Sequence, residues 1–453
     1  NSSVTGSTVT PGTITAHSSP TATTNSPFDD LEGFKFGEGG DQNLIKTGSY
    51  IGTGSATHRK IELGFEPQWI MTKRVDGGTS NWDMADMMRG TPANDNNATQ
   101  NGPFVWANQS WAEATDRPFT NHSTGFGLKN TSSGTNGSGD TYVYIAIRRP
   151  DGYVGKPAEA GTDAFTMDTG AGSSTIPNFD SGFPVDFAFA REPASTGQWD
   201  TGARLIQGKY LGLNSTADEA TSSDFTFDSN VGWNKISSWS SSYQSWMWKR
   251  GAGMDVVCWT GNGSARKMPH SLSKTPEMIW VKKRWEDTSN WPVYHKGLNG
   301  GTNPEQYYIN LDEASAENTN SGLWNDIAPT STHFSLGTSN SVSENTHTFI
   351  AMLFSSVTGI SKVGSYSGAN SEQTITLGFQ PRFVIIRSTS GSRNWIILDT
   401  ARGWASGNDA EISINKTDAQ SSSYDFGAPT ATGFTINYIG NDDTNASGHT
   451  YIY

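Results

Sequence analysis

The sequence has 453 residues, with 31 basic against 44 acidic residues and a formal net charge of −13. That length exceeds one ordinary domain of ~100–200 residues, and the acidic balance argues against nucleic-acid binding, which needs a basic surface. Only 17% of the residues are charged, whereas Gly contributes 50 residues and Trp 16. This composition excludes a helical bundle, a coiled coil and full disorder, and it favours short strands joined by turns.

The first part of the chain, residues 1–33, is interpreted as an arm or linker. Residues 1–27 contain 6 Ser, 8 Thr and 3 Pro and no charged residue, so they have little to bury in a core. Two interpretations stay open: a flexible leader, or an arm that becomes ordered by docking onto a neighbouring protein.

The rest of the chain contains an internal repeat. Four segments each combine a turn, a proline, a short apolar run and a basic residue, and a tryptophan follows each proline after 15, 15, 15 and 14 residues. The repeat positions are Pro67 and Trp82, Pro184 and Trp199, Pro276 and Trp291, and Pro381 and Trp395. An interval this regular predicts four diverged copies of one structural unit.

Each copy is predicted to be built from strands. The runs Phe383–Ile386 and Tyr142–Ile145 are aromatic and β-branched, and Gly, Asn and Ser clusters bound them. We therefore expect an all-β fold of four tandem antiparallel β-sandwich-like modules of about 100 residues, each with about six to eight strands, preceded by the extended arm. Modules in tandem are expected to form an elongated object.

The predicted module bounds follow from the repeat. Module 1 is 34–154, module 2 is 155–254 and the most diverged, module 3 is 255–358 and module 4 is 359–453. The closing strand of module 1 continues from Thr141 to Arg149, whereas its counterpart in module 4 stops at Tyr453. This difference predicts that module 4 is truncated at its C-terminus.

Several segments carry a resemblance to a known class of proteins. They are Phe34–Gly40, Leu63–Trp69, Asn81–Trp82 with Met88–Gly90, Thr141–Gly152, and the Asn394–Trp395 pair followed by Asp399–Gly403. They resemble repeat modules of virion structural and tail-fibre-like proteins of tailed phages, notably those of marine cyanobacteria. The resemblance is specific in modules 1, 3 and 4 and weaker in module 2.

The resemblance implies a non-enzymatic protein of the virion surface, such as a tail-fibre or other appendage component. Its implied partners are other virion proteins, further copies of the same chain, and a host-surface glycan. By analogy with phage fibres, the expected homo-oligomer is a trimer. Two alternatives stay open: a carbohydrate-binding bacterial adhesin or lectin, and a glycan-active enzyme.

The candidate catalytic carboxylates are Asp86 and Asp399, four residues after their repeat tryptophans. Ala203 and His295 occupy the same position in the other two modules, and acid–base catalysis needs a fixed carboxylate. The favoured interpretation is therefore a turn carboxylate that binds the following Arg89 or Arg402, and no catalytic residue is assigned.

The candidate ligand-binding residues are a cluster of aromatic side chains: Trp233, Trp239, Tyr243, Trp246 and Trp248. Trp246 and Trp248 share a strand face, because they are two residues apart. The cluster could stack on sugar rings as a glycan-binding surface, or it could be packing within and between modules, since Trp is mostly buried.

The sequence assigns no cofactor and no metal ligand. One cysteine, Cys258, excludes an intrachain disulfide and a cysteine-based zinc site, and its apolar neighbours indicate a small buried residue. The oxygen-rich loops Asn94–Asn97 and Asn441–Asp443 could bind calcium, but Asn and Asp are also ordinary turn residues. No apolar run approaches the ~18 residues of a membrane span, so no membrane insertion is expected.

Overall fold

The computed structural model describes residues 35–36, 42–43, 45–55, 59–63, 65–77, 79–89, 102–117, 119–122, 125–128, 132–148, 160–172, 177–222, 224–235, 240–251, 253–272, 274–285, 288–440 and 443–453. The arm, residues 1–33, lies outside the described residues, so the two interpretations of it stay predictions. The all-β fold class is confirmed, because 37 strands and only two α-helices of four residues make up the described chain.

The strands of the first half fall into three sets. A short pair precedes module 1: β1 (Lys35–Phe36) and β2 (Gln42–Asn43). Module 1 has nine strands: β3 (Ile45–Ile51), β4 (Arg59–Glu62), β5 (Pro67–Arg74), β6 (Trp82–Asp86), β7 (Gly102–Trp106), β8 (Ala114–Arg117), β9 (Thr120–His122), β10 (Gly125–Leu128) and β11 (Thr141–Arg148). Module 2 also has nine: β12 (Phe165–Thr169), β13 (Phe179–Asp180), β14 (Phe187–Arg191), β15 (Asp200–Ala203), β16 (Lys209–Gly212), β17 (Ala220–Thr221), β18 (Phe225–Thr226), β19 (Gly232–Lys235) and β20 (Gln244–Trp248).

The second half repeats the pattern. Module 3 has eight strands: β21 (Met254–Thr260), β22 (Arg266–Pro269), β23 (Met278–Lys283), β24 (Pro292–His295), β25 (Tyr307–Asn310), β26 (Asn318–Thr319), β27 (His333–Leu336) and β28 (Thr348–Phe354). Module 4 has nine: β29 (Ser365–Ser367), β30 (Gln373–Thr376), β31 (Phe383–Ser388), β32 (Ile396–Asp399), β33 (Asp409–Ser413), β34 (Ser421–Tyr424), β35 (Pro429–Thr430), β36 (Gly433–Ile436) and β37 (Thr450–Ile452). The modules thus hold eight or nine strands, slightly more than the six to eight expected.

Helices are short and lie in connections. The two α-helices, both in module 3, are α1 (Ser321–Trp324) and α2 (Asn340–Ser343). The 3₁₀ helices are Met87–Arg89, Gly161–Asp163, Arg204–Ile206, Leu298–Gly301 and Pro304–Gln306.

All four modules share one topology. A six-stranded antiparallel large sheet has the order β3-β11-β5-β6-β7-β8 in module 1, and β12-β20-β14-β15-β16-β17, β21-β28-β23-β24-β25-β26 and β29-β37-β31-β32-β33-β34 in the others. A small sheet covers it, in the order β4-β10-β9, β13-β19-β18 or β30-β36-β35, reduced to β22-β27 in module 3. The repeat seen in the sequence is therefore a repeat of strand order as well.

Each large sheet has two apolar faces. In β14, Ala188 and Ala190 point inward, into a core that includes Trp233 of the small sheet. Phe187 and Phe189 alternate with them and point outward, yet they are fully buried too. Successive side chains of a strand point to opposite faces, so a continuous apolar strand requires cover on both sides. We call the face away from the small sheet the outer face.

Close approach of two backbone segments requires glycine at one equivalent position in modules 1, 3 and 4. A Cβ at Gly52, Gly261 or Gly368 would overlap the carbonyl oxygen of Gly137, Glu344 or Ala446, respectively. In each case the glycine N–H donates to the residue just before the closing strand begins, as in Gly52 to Asp140 at 2.7 Å. These three glycines fix where the first strand meets the last, and no larger residue fits there.

The repeat tryptophans of modules 2, 3 and 4 are interior residues. Trp199, Trp291 and Trp395 are all at most 1% exposed, whereas Trp82 of module 1 is half-buried. The four positions are equivalent, because each tryptophan begins or directly precedes the fourth strand of its module. Trp82 differs in exposure because, among the described residues, it is not part of the hydrophobic core that contains the other three.

We predict that Trp395→Ala lowers the free energy of unfolding by about 3–5 kcal/mol, the usual cost of truncating a buried large aromatic residue. Chemical denaturation of the full chain, followed by circular dichroism, measures it. The matched control is Trp111→Ala, since Trp111 is 57% exposed and should cost under about 0.5 kcal/mol. Equal losses in the two variants would contradict the packing role of Trp395.

Candidate functional site: the contacts of a three-module ring

The outer faces of modules 2, 3 and 4 meet in one shared hydrophobic core. Its members include Phe189 and Trp246 of module 2, Trp280 and Met352 of module 3, and Ile385 and Ile397 of module 4. The ring of Phe165 lies 5.1 Å from that of Phe383, and Phe187 lies 6.3 Å from Trp280. The expected elongated row is therefore wrong for these three modules, because their apolar outer faces bury one another.

Equivalent tryptophan contacts join the three modules in a closed cycle. The indole N–H of Trp199 donates to the carbonyl of Ser413 at 3.0 Å, so module 2 contacts module 4. Trp291 donates to Gly212 at 3.0 Å, and Trp395 donates to Asn310 at 2.8 Å. Each acceptor is the last residue of the fifth strand of its module. The contacts run from 2 to 4, from 4 to 3 and from 3 to 2, which closes a pseudo-threefold ring.

A basic residue strengthens each contact. Arg191, Lys282 and Arg387 stand over the rings of Trp199, Trp291 and Trp395 at 4.9, 5.7 and 6.0 Å, within the range of cation–π attraction. Their head groups donate to backbone carbonyls of the turn that follows the same fifth strand.

These donations follow one pattern across the ring. Arg191 bonds Thr417 and Asp418 at 3.1 and 2.9 Å, Lys282 bonds Thr216 at 2.9 Å, and Arg387 bonds Ser315. Burial lowers the pKa of Lys282 to about 8 and those of Arg191 and Arg387 to about 10. The sequence carried a signal for this role, namely the basic residue after each apolar run, but sequence analysis assigned it none.

Backbone hydrogen bonds repeat the same junction. Gly197 N–H donates to Thr417 at 2.8 Å, Ser289 N–H to Thr216 at 2.9 Å and Arg393 N–H to Ala314 at 2.9 Å. Each donor lies two residues before the repeat tryptophan, and each acceptor lies four residues after the end of the fifth strand. The junction is therefore the same structure three times.

Asp399 is a structural hub of this ring. Its Oδ2 accepts from Arg402 Nε at 2.7 Å and from the Trp246 indole of module 2 at 3.2 Å, and its Oδ1 accepts from Arg402 N–H and Gln244. The carboxylate is fully buried. The interpretation of Asp399 and Asp86 as carboxylates that bind the following arginine is confirmed, since Asp86 pairs with Arg89 at 2.7 Å.

A cavity of about 1250 Å³ opens between the three modules. Its walls include Trp248, Trp280, His295, Phe383, Trp395 and Tyr453. Strand β31 pairs with β37 only at Arg387 and Ser388, whereas β14 pairs with β20 from Phe187 to Arg191. The cavity is therefore lined by the part of β31 that does not pair with β37.

His295 forms part of the cavity wall and is held neutral. The Gly297 N–H donates to its Nδ1 at 2.9 Å, so the ring proton lies on Nε2, which donates to the main-chain oxygen of Tyr453 at 3.2 Å. Burial lowers the pKa of His295 to about 4. This histidine therefore links module 3 to the end of β37 without carrying charge at neutral pH.

Module 1 is attached to the ring by buried ion pairs. Arg250 of module 2 contacts Glu66 of module 1 and Asp255 of module 3, and all three side chains are at most 2% exposed. Asn121 donates to the same Glu66 at 2.9 Å, and Met87 joins the shared core. One arginine thus connects three modules.

Among the residues that the structure describes, the outer face of module 1 is less covered than the outer faces of the other modules. Its apolar side chains are all half-buried: Trp69, Met71, Trp82, Met84, Val105, Val143, Ile145 and Ile147. By strand register their counterparts in module 3 are all buried: Met278, Trp280, Trp291, Val293, Ile309, Ile350, Met352 and Phe354. Module 1 therefore presents the surface that the other modules use to pack.

The aromatic cluster is not one exposed platform. Trp233 and Trp246 are fully buried and lie in different cores, Trp248 is 9% exposed and Tyr243 is half-buried; Trp239 lies outside the described residues. The glycan-stacking interpretation is therefore wrong for Trp233 and Trp246, and the packing interpretation holds for both. Trp246 and Trp248 do share a face, because both belong to the core of the ring.

The described residues show neither a group of potential metal ligands nor a membrane-spanning helix. Within the described ranges, no group of three or more His, Cys, Asp or Glu side chains is arranged to hold a metal ion. Of the two candidate calcium loops, Asn94–Asn97 and all but Asp443 of Asn441–Asp443 lie outside the described residues. Among described helices, none is long and apolar enough to span a membrane.

A scan of family models finds one match, to a domain of unknown function (DUF7483), over residues 5–149 and 191–453. The chain belongs to this family. The match extends over all four modules and omits residues 150–190, which hold β12, β13 and most of β14 of module 2, the copy that the sequence shows as most diverged. No curated protein matches the chain.

We expect acid to destabilise the protein partly through His295. The folded pKa of about 4 lies below the ordinary value of ~6.5, so between these values only the unfolded state binds the proton. Stability is therefore lost as pH falls from 6.5 to 4, by up to about 3 kcal/mol.

The measurement compares wild type with His295→Gln by chemical denaturation at several pH values. Gln can keep both hydrogen bonds but cannot titrate, so the difference between the two proteins should shrink or reverse towards pH 4. A difference that stays constant with pH would show that His295 does not contribute.

We also predict that Arg250→Met destabilises the full chain by about 3–5 kcal/mol, because it leaves two buried carboxylates without their guanidinium. Differential scanning calorimetry and limited proteolysis between modules 1 and 2 report the loss. Lys60→Met is the control, since its pair with Glu62 is exposed and should contribute under about 1 kcal/mol. If the two variants behave alike, the buried triad does not hold module 1 to the ring.

Proposed function

We propose that this protein is a non-enzymatic structural component of a phage virion surface, as a tail-fibre or other appendage protein with a host-surface binding role. The single observation that carries the structural part of the proposal is the ring itself. Three repeats share one core and have equivalent junctions. Charged and aromatic side chains at these junctions pack one module against the next. A body held together in this way suits a structural role.

The use of charged residues supports a scaffold role. Asp399 pairs with Arg402, and Arg250 pairs with Glu66 and Asp255, in buried contacts where modules meet. Buried ion pairs of this kind favour one arrangement of the parts more than they add stability. In this proposal, the repeats provide shape, and the partners are other virion proteins, copies of the same chain and a host glycan.

The virion assignment depends on the resemblance of the repeat segments to phage structural modules. Immunogold electron microscopy of purified particles, with antibody raised against the full chain, tests it. We expect gold on tails or other appendages of intact particles, and the same chain in the protein gel of those particles. Label confined to the surface of uninfected bacteria would contradict the proposal and favour the adhesin alternative.

A further inference from the structure

We propose that module 1 forms an intermolecular copy of the ring: the outer faces of module 1 from three chains pack together and make the protein a homotrimer. The inference rests on the geometry of the repeats and does not depend on the proposed virion role. Its occupant is a second and third copy of this chain.

The first line of support is the half-buried outer face of module 1. Eight apolar side chains of the outer face of module 1 occupy register positions whose counterparts are buried in module 3. A sheet face that met only water would carry polar residues at these alternating positions. Trp69, Met71, Met84, Ile145 and Ile147 instead keep the apolar pattern of a packing face.

The second line of support is that module 1 keeps the donor residues of the junction, which are the repeat tryptophan and the basic residue beside it. Trp82 and Lys73 are cross-strand neighbours on β6 and β5, and in module 3 Lys282 of β23 lies over Trp291, which directly precedes β24. Lys73 also donates to Ser80, just as Lys282 donates to Ser289. The half-buried Trp82 makes no indole contact to another module in the part of the chain that the structure describes.

Module 1 also keeps the acceptor turn, which is the end of the fifth strand and the residues that follow it. Ala107 N–H donates to Trp82 at 3.0 Å, and Asn108 Oδ1 accepts from the Trp82 N–H at 2.9 Å. The same two bonds occur between Trp395 and Ile414 or Asn415 in module 4, at 2.9 Å each. The turn after β7 is therefore already in the shape of an acceptor turn, with Trp106 and Ser110 at the positions of the accepting carbonyls.

In modules 2, 3 and 4, the indole N–H of the repeat tryptophan bonds the acceptor turn of another module, not that of its own. In the ring each module donates to one neighbour and accepts from the other, which is a heterologous contact, and three such contacts close the cycle. Modules 2, 3 and 4 already use all their junctions on one another. Module 1 therefore has donors and acceptors that only module 1 of other chains can match, and closure occurs at three.

The expected core is smaller than that of the intrachain ring. Strand β3 places Thr47 and Ser49 at the positions that Val256 and Cys258 occupy in β21, and Ala107 replaces Leu311. Less apolar area is buried at each junction, so the trimer should dissociate on dilution, unlike the covalently linked ring.

Cysteine cross-linking of the full chain tests the junction directly. Gly197, Ser289 and Arg393 bond Thr417, Thr216 and Ala314 across the ring, and their counterparts in module 1 are Ser80 and Ser110. Backbone pairs at this distance bring Cα atoms within the ~4.4–6.8 Å that a disulfide needs. The native Cys258 is buried and does not interfere.

We expect the Ser80→Cys, Ser110→Cys double variant to give disulfide-linked dimers and trimers on non-reducing gels, with nothing larger. Each single variant is the control and should stay monomeric on the gel, because the contact joins two different positions. Monomer alone in the double variant, or a ladder beyond three chains, would overturn the proposal.

Solution mass gives a second, independent test. Light scattering with size-exclusion chromatography should show wild type approaching three times the chain mass with rising concentration, and Met71→Arg should be a monomer. Ile327→Arg is the control, because Ile327 is 41% exposed on module 3, and it should stay trimeric. If the wild-type protein is a monomer at all concentrations, the trimer is overturned. Cover of the outer face of module 1 by residues 1–33 of the same chain would give that result.

Discussion

The structure depends on the need to cover a sheet that is apolar on both faces. A small sheet covers the inner face of each large sheet, and the outer face must find a partner. Modules 2, 3 and 4 meet this need by turning their outer faces toward one another. The burial of Trp199, Trp291 and Trp395, the cation–π contacts and the backbone junctions all follow from that single constraint.

Directional contacts decide how the apolar faces are arranged. Hydrophobic burial is not directional, so it would allow many ways of packing three sheets. The indole N–H of each tryptophan must find an acceptor when it is buried, and the carbonyl at the end of the neighbouring fifth strand meets that need. Because every module carries both a donor and an acceptor, the arrangement is cyclic, and all three junctions form together.

Sequence analysis predicted the repeat and its chemistry well where the determinants are local. The interval from Pro276 to Trp291 fixes one strand and the start of the next, because the proline precedes β23 and the tryptophan directly precedes the buried β24. The pairing of Asp399 with Arg402 also follows from the chain, since the two residues are three positions apart in one turn. The role of the aromatic cluster stayed open between glycan stacking and packing, because sequence spacing does not tell whether Trp233 or Trp246 is buried.

The sequence by itself determined the strands, the four copies, the turn glycines and the local ion pairs, because these depend on residues near one another in the chain. The tertiary structure decided that Trp199 meets Ser413, that Arg250 joins Glu66 to Asp255, and that three of the four modules close on one another. Such contacts join residues up to more than two hundred positions apart. They form only when whole apolar faces pack, and that packing depends on the summed shape of several sheets.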